Sequence, residues 1–320
     1  MQEPSVTTSR TTSRVVQFVE SFGGPEVLSL REVPAPQAGS GQIRVRVTAA
    51  GLNPMDWFMT SDAETATRFG LSLPSGFGTD YAGVVDQVGD GVTGFAAGDR
   101  VFGGALSRAV ADHVVIDVAG TIAAGGDAHP IPDGVDDRTA AVLAIAGCTA
   151  AAALAVVNPG PGDTLLVGGA AGGVGVFVVQ LAQLAGARVI GTGSATSAEA
   201  LRALGAEPVT YGDGLVDRIR ALAPGGVTAA IDLYGTDTVQ AARELGVPDK
   251  RITAIAAQVD GITSANGAKA APGAIEEIAR LVAAGRLRVP IAATFPVEQI
   301  RAAVELQAGR HVHGKVVIDL

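Results

Sequence analysis

Thr164-Leu165-Leu166-Val167-Gly168-Gly169-Ala170-Ala171-Gly172-Gly173-Val174-Gly175 is the stretch on which the fold of this 320-residue chain turns. Four strand-forming residues run into a glycine-rich turn. Val174, Val178, Leu181 and Ala185 then recur at helical spacing. Strand, glycine-rich turn and helix in that order are the setting of a dinucleotide site. Residues without side chains let the backbone approach a pyrophosphate, and a helix starting near Gly173 aims unpaired N–H groups and its positive end at that anion. Gly175 allows helix and sheet to pack closely, while Ala170 takes the place of the first glycine. Ala170, Ala171, Gly172, Gly173 and Val174 are therefore candidate cofactor contacts. A tight strand-to-helix turn with no ligand is the competing reading.

Downstream the pattern repeats. Strands are predicted at Arg188-Val189-Ile190, Pro208 to Thr210, Ala229 to Leu233 and Ile252 to Ala256, with helices at Ser197 to Leu204 and Leu215 to Leu222. Strands alternating with helices predict a parallel sheet covered on both faces. An NAD site usually carries a carboxylate at the end of the second strand, where it holds the ribose hydroxyls. Here that strand ends Ile190-Gly191-Thr192-Gly193-Ser194-Ala195-Thr196-Ser197, without an acid. Thr192, Ser194 and Ser197 are donors suited to a 2′-phosphate, which favours NADPH. The loop holds no Arg or Lys and Glu199 follows closely, so dual specificity stays open.

Upstream the chain reads as β structure, with short β-branched runs at Val15 to Val19, Val27 to Val33, Ile43 to Val47, Ala82 to Val88 and His113 to Ile116. Ile43-Arg44-Val45-Arg46-Val47 alternates strictly, predicting one buried and one wet face in an antiparallel barrel or sandwich. The last fifty residues show helical periodicity at Ile275 to Ala284 and Val297 to Leu306, then a strand at Val316-Val317-Ile318.

Composition narrows the function. A net charge of −9 without a basic run offers no footprint for nucleic acid or an anionic membrane, which favours a small-molecule partner. Cys148 is the only cysteine, so an intramolecular disulfide and a cysteine-based metal cluster are both excluded, and a cytoplasmic setting is expected. Met1 to Ser13 is rich in Ser and Thr without an apolar core, which argues against a secretory signal and for a frayed terminus. Thr139 to Val157 runs nineteen residues without a charge, yet alanine fills nearly half of it; a buried helix fits better than a membrane span.

Several ordered motifs add to this. Gly51-Leu52-Asn53-Pro54-Met55-Asp56, the run Leu73 to Val85 containing Gly78-Thr79-Asp80-Tyr81, Gly98-Asp99-Arg100-Val101-Phe102-Gly103, Leu204-Gly205-Ala206 and Gly314-Lys315 accompany the glycine-rich turn. With them the chain resembles the zinc-independent quinone oxidoreductase (zeta-crystallin-like) branch of the medium-chain dehydrogenase/reductase superfamily. The resemblance implies an α/β protein with a GroES-like β-rich catalytic domain, residues 14–137 and 272–320, and an inserted Rossmann NADP-binding domain with a doubly wound parallel sheet, residues 138–271. It also implies a homodimer.

It places Asn53 at the nicotinamide ribose and substrate, with Asp56 supporting the same loop and Phe58 where many relatives carry a substrate-side tyrosine. Thr149 falls near the carboxamide, Tyr211 at the adenosine phosphate end, and Ile255 and Lys315 among the cofactor contacts. By residue type alone, Asn53-Pro54 also reads as an Asx-Pro turn and Tyr211 as a packed surface tyrosine. One cysteine cannot furnish the zinc sites of the related alcohol dehydrogenases. His311 and His313 lack an evident third ligand, His113 and His129 have no assigned role, and Cys148 reads as a small buried hydrophobe. The activity implied is reduction of a quinone or an α,β-unsaturated carbonyl by hydride from NADPH; an enoyl reductase of a biosynthetic pathway and an NADPH-binding redox sensor are the alternatives.

Overall fold

A computed structural model describes residues 12–310 and 312–320. Thr164–Gly168, the quoted strand, lies at the centre of a parallel sheet between Arg188–Gly193 and Ala229–Asp232. Glu207–Thr210 flanks one side, and Ile252–Ala254 followed by Thr263–Ser264 extends the other. Numbered along this sheet, the spatial order is 3-2-1-4-5-6, that of a doubly wound dinucleotide-binding sheet. Both faces are covered, which is why the central strand is apolar throughout. Leu165 and Val167 enter one core layer and Leu166 the opposite one.

The antiparallel part is built around Gln42–Leu52, which pairs with Asp80–Val88 on one side and, along different halves of its other edge, with His113–Asp117 and the C-terminal strand Lys315–Asp319. Val316 lies opposite Leu52 and Val317 opposite Gly51, so the end of the chain returns to the N-terminal sheet. Ile291–Pro296 pairs parallel to Lys315–Asp319 at the edge. A smaller sheet joins Thr12–Phe18 to Ser29–Pro34 and Ser75–Gly76.

The predicted wet face of Ile43 to Val47 holds at Arg46, which is exposed, and needs correction at Arg44. Arg44 is only 5% exposed; its guanidinium holds both oxygens of Asp86, at 2.8 and 3.1 Å, and donates to Pro36 O. A bidentate ion pair lets an alternating strand bury a charge on its polar side. The terminus needs a similar correction at its inner end, because Thr12 and Ser13 already belong to a strand and Ser13 is buried. The rest of the predicted frayed segment lies outside the described residues.

The uncharged run from Thr139 to Val157 divides into Asp137–Ala140 and Ala144–Val157. No helix among the described residues is long and apolar enough to cross a membrane. Alanine gives the second helix a narrow body that packs on both domains: Ala146, Ala150 and Ala153 share one apolar cluster with Ala49, Ala82 and Phe102 of the antiparallel sheet and with Leu165 of the parallel sheet. Ala274–Ala283 also packs here, with Ile278 Cδ1 3.0 Å from where a Cβ on Gly147 would stand. Beyond this helix the chain next pairs with the antiparallel sheet at Ile291.

Candidate active site

Asn53 ends the strand Gln42–Leu52 and precedes a five-residue helix, Pro54–Phe58, with Pro54 in the first turn where its missing N–H costs nothing. The Asn53 backbone N–H donates to Asp56 Oδ2 at 2.8 Å, and Thr79 Oγ1 donates to Asp56 Oδ1 at 2.7 Å. The Asn53 side chain has two further partners: its Nδ2 donates to Asp80 Oδ2 at 2.9 Å, and its Oδ1 accepts from Lys315 Nζ at 2.5 Å. Asp80 Oδ1 accepts from the Ile145 backbone N–H at 3.1 Å, at the start of the helix carrying Thr149. All five of Asn53, Asp56, Thr79, Asp80 and Lys315 are at most 3% exposed.

Such burial reshapes the charges. Desolvation pushes Asp56 up to about 7, against the opposing pull of its Thr79 and Asn53 hydrogen bonds. Asp80 rises to about 6 for the same first reason, with Lys315 and Asn53 holding it back. Lys315 is lowered by burial, while Asp80 and Asp56 act in the opposite direction. Burial and nearby carboxylates push Cys148 up to about 12, so it is no thiolate nucleophile.

The C-terminal segment joins this cluster to the glycine-rich turn. Gly314 N–H donates to Ala171 O at 3.0 Å, and the Lys315 stem passes so close to Gly173 that a Cβ there would stand 3.1 Å from Lys315 Cδ. The turn has the close approaches a phosphate cradle requires. A Cβ on Gly175 would lie 2.4 Å from Ala170 O. The Ala170 methyl in turn is admitted by the next strand, where a Cβ on Gly191 would stand only 2.8 Å from it. The helix itself starts at Gly175, two residues beyond the predicted Gly173, because Ala170 to Val174 form the turn.

Thr192, Ser194, Ser197, Tyr211 and Ile255 lie at or just beyond the carboxyl ends of the parallel strands, whereas Thr149 and Phe58 stand on separate helices. Thr192 Oγ1 accepts from Gly169 N–H at 3.3 Å, and the Tyr211 N–H donates to Gly193 O at 3.3 Å. Ser194 Oγ lies 2.8 Å from Thr196 Oγ1, whereas Ser197 is buried with its hydroxyl donating to Ser194 O. Tyr211 is 58% exposed, and the neighbouring Arg218 spends its donors on the carbonyls of Thr210, Tyr211, Gly212 and Asp213. Ile255 follows the fifth strand, its N–H on Asp232 O. Thr149 donates to Ile145 O at 2.6 Å and packs on Gly267. Phe58 is 52% exposed and meets Phe69 edge to face. Thr79 and Asp80 carry no assigned role in the quoted motif; their signal is a pair of polar residues directly ahead of the uncharged run Tyr81-Ala82-Gly83-Val84-Val85.

Among the described residues no group of three or more His, Cys, Asp or Glu converges as a metal site. Around Asn53 the side chains are amide, hydroxyl, carboxylate and ammonium, a poor match to the thiolate and imidazole sets that hold zinc in dehydrogenases. Of the histidine pair considered as ligands, His311 lies outside the described residues.

A doubly wound nucleotide-binding sheet inserted into a β-rich domain, with a glycine-rich turn against a buried polar cluster, defines a two-domain dehydrogenase/reductase. The chain belongs to the medium-chain dehydrogenase/reductase superfamily, in its quinone oxidoreductase branch. Residues 39–114 match the alcohol dehydrogenase GroES-like domain and residues 173–278 the family described as zinc-binding dehydrogenase. A quinone oxidoreductase of Pseudomonas aeruginosa is 30% identical over 95% of this chain and 98% of its own. The rat quinone oxidoreductase is 38% identical over 56% of this chain, and the match spans about half, 52%, of that relative's length. The structure of the quinone oxidoreductase from Coxiella burnetii superposes with a TM-score of 0.85 at 28% identity, covering 97% of this chain and 99% of that one. A mycobacterial protein complexed with NADPH gives 0.82 at 25% identity, over 96% and 100%.

Proposed function

We propose that this protein is a zinc-independent, NADPH-dependent reductase of small quinones or α,β-unsaturated carbonyl compounds. The observation that carries the reading is the junction itself: Gly314 on Ala171 and Lys315 on Gly173 bring Asn53 beside the phosphate cradle. The acceptor class comes from the quinone oxidoreductase relatives, and the choice of NADPH from the acid-free end of the second strand together with the NADPH-bound neighbour. Bound NADPH supplies the hydride. A conjugated acceptor spreads the resulting charge, so no Lewis acid is required, consistent with the donor set around Asn53.

The chain's own contribution is placement. The glycine-rich turn receives the pyrophosphate, and the Ser194 and Thr196 hydroxyls at the accessible end of the second strand meet the adenosine phosphate, whereas Thr192 and Ser197, first expected there, are buried with their hydroxyls bonded within the protein. Arg218 is occupied by carbonyls, so the preference for NADPH over NADH rests on these neutral donors and is modest. Asn53 has one Nδ2 hydrogen left after its bond to Asp80, a donor for a ribose or substrate oxygen. Asn53→Ala is expected to lower kcat about tenfold or more and, because Lys315 Nζ and Asp80 Oδ2 each lose a buried partner, to cost about 1 to 3 kcal/mol of stability, checked by steady-state kinetics on the folded variant beside a melting curve.

The deciding assay follows oxidation of NADPH, with NADH in parallel, by a simple quinone and by a short-chain enone in the presence of a chelator. Chelator-resistant oxidation by either acceptor is the expected result and names the substrate class. Tight NADPH binding without turnover of any acceptor would sink the reading. We further place the protein in the cytoplasm as a homodimer, on its single shielded thiol and its family resemblance; light scattering in solution checks the dimer.

A further inference from the structure

We propose that Lys315 is the positioning residue of this site, locking the side-chain amide of Asn53 in one orientation so that its remaining Nδ2 hydrogen serves the ligand. This rests on the reading of Asn53 as the group that meets cofactor and substrate. The argument is one of donors and acceptors. A protonated lysine only donates, and an ionised carboxylate only accepts. Lys315 Nζ sits 2.5 Å from Asn53 Oδ1, and Asp80 Oδ2 sits 2.9 Å from Asn53 Nδ2. Turning the amide over would set nitrogen against ammonium and oxygen against carboxylate, two repulsive contacts at a site shut off from water. The Asn53 amide therefore has one stable orientation before any ligand arrives.

Lys315 also carries that orientation to the cofactor side. Its backbone belongs to the strand paired with Gln42–Leu52, its stem crosses Gly173, and its ammonium lies 3.9 Å from Asp80 Oδ2. One side chain thus touches the phosphate cradle, the Asn53 oxygen and the buried carboxylate. A lysine whose task was to neutralise the cofactor phosphates would turn its ammonium toward the turn; here only the stem faces Gly173 and the charge lies inside, 3% exposed.

The test pairs a charge-neutral variant with a structure of the complex. Lys315→Met alone would strand Asp80 without its cation, so the variant of choice is Lys315→Met/Asp80→Asn, which removes both charges and leaves position 80 able to donate or accept. In it the Ile145 N–H takes the oxygen of the new amide at position 80, whose NH2 then faces Asn53, so the wild-type orientation of the Asn53 amide is no longer enforced. Expected are a melting temperature and an NADPH dissociation constant close to the wild-type values, a kcat lower by about tenfold or more, and a changed fluorescence of the bound reduced nicotinamide. A folded double variant with wild-type kcat and wild-type nicotinamide fluorescence would overturn the proposal, since a purely structural lysine would leave both unmoved.

The crystal structure of the wild-type protein with NADPH decides the matter independently of turnover and of whether the variant folds. Lys315 Nζ still on Asn53 Oδ1, with Asn53 Nδ2 toward the nicotinamide ribose, supports the assignment; Lys315 turned onto a cofactor phosphate, or Asn53 released from it, refutes it. Failure of the reductase reading would show separately, as a wild-type protein that binds NADPH but passes hydride to none of the quinone or enone acceptors.

Discussion

Asp56 is buried with two hydrogen-bond donors, and desolvation still outweighs them, raising its pKa from 3.8 to about 7. The native state therefore holds this proton more tightly than the unfolded chain. Its contribution to stability is complete below pH about 4 and is lost as pH rises through about 7. Asp56→Asn keeps an acceptor for one of the two donors and abolishes the titration. The variant is expected to gain stability relative to wild type between pH about 4 and about 7, read from denaturant midpoints at each pH. A constant difference across that range would show that Asp56 does not titrate there. Motif matching singled out Asn53 and Asp56, but their pKa-setting neighbours Thr79, Asp80 and Lys315 lie up to 262 positions away. No local pattern brings such residues together.

The glycine-rich turn and the strand Arg188–Gly193 act as one element. Ala170 takes the first glycine position because Gly191 opposite it has no side chain, a compensation spread across two strands. Gly191→Ala would set two methyl carbons 2.8 Å apart and also press on Leu201. The expected cost is about 1 to 3 kcal/mol with weaker NADPH binding, and Ala170→Gly in the same chain should recover most of it, as a double-mutant cycle in thermal unfolding and cofactor titration would show. Strict additivity would mean that the two positions are not coupled. The strand, turn and helix were legible because their apolar periods change sharply at Gly168. Ile291–Pro296 and Thr263–Ser264 were not, since an edge strand with alternating partial exposure and a two-residue strand carry little hydrophobic signal.

At the scale of the molecule the two domains are joined by apolar packing around Ala144–Val157 and by a cation held between two rings. The Arg310 guanidinium stands 5.6 Å from the Trp57 ring and 5.1 Å from the Tyr234 ring, one ring in each domain. Trp57 Nε1 also donates to Gln307 Oε1 at 2.8 Å. Arg310→Ala and Trp57→Ala are expected to weaken stability with a coupling energy of about 0.5 to 2 kcal/mol in a double-mutant cycle, and to raise KM for NADPH more than they lower kcat. Zero coupling would mean that the contact adds nothing to domain closure.

The class of each half is legible from local properties, hydrophobic period and turn chemistry: the apolar strand Thr164–Gly168 with its glycine-rich turn dictates a covered parallel sheet, and the single Cys148 excludes an intramolecular disulfide. The sequence also supplied Asn53 as a candidate through its motif. Long-range packing settles that Arg44 is buried, that Lys315 turns inward, and that Ala274–Ala283 packs on Ala144–Val157. Each of those outcomes depends on a partner distant in sequence, Asp86 for Arg44, Asn53 and Asp80 for Lys315, Gly147 for Ile278. Whether a polar group is buried is settled by the partner it finds across the fold, and that choice is a property of packing rather than of any segment.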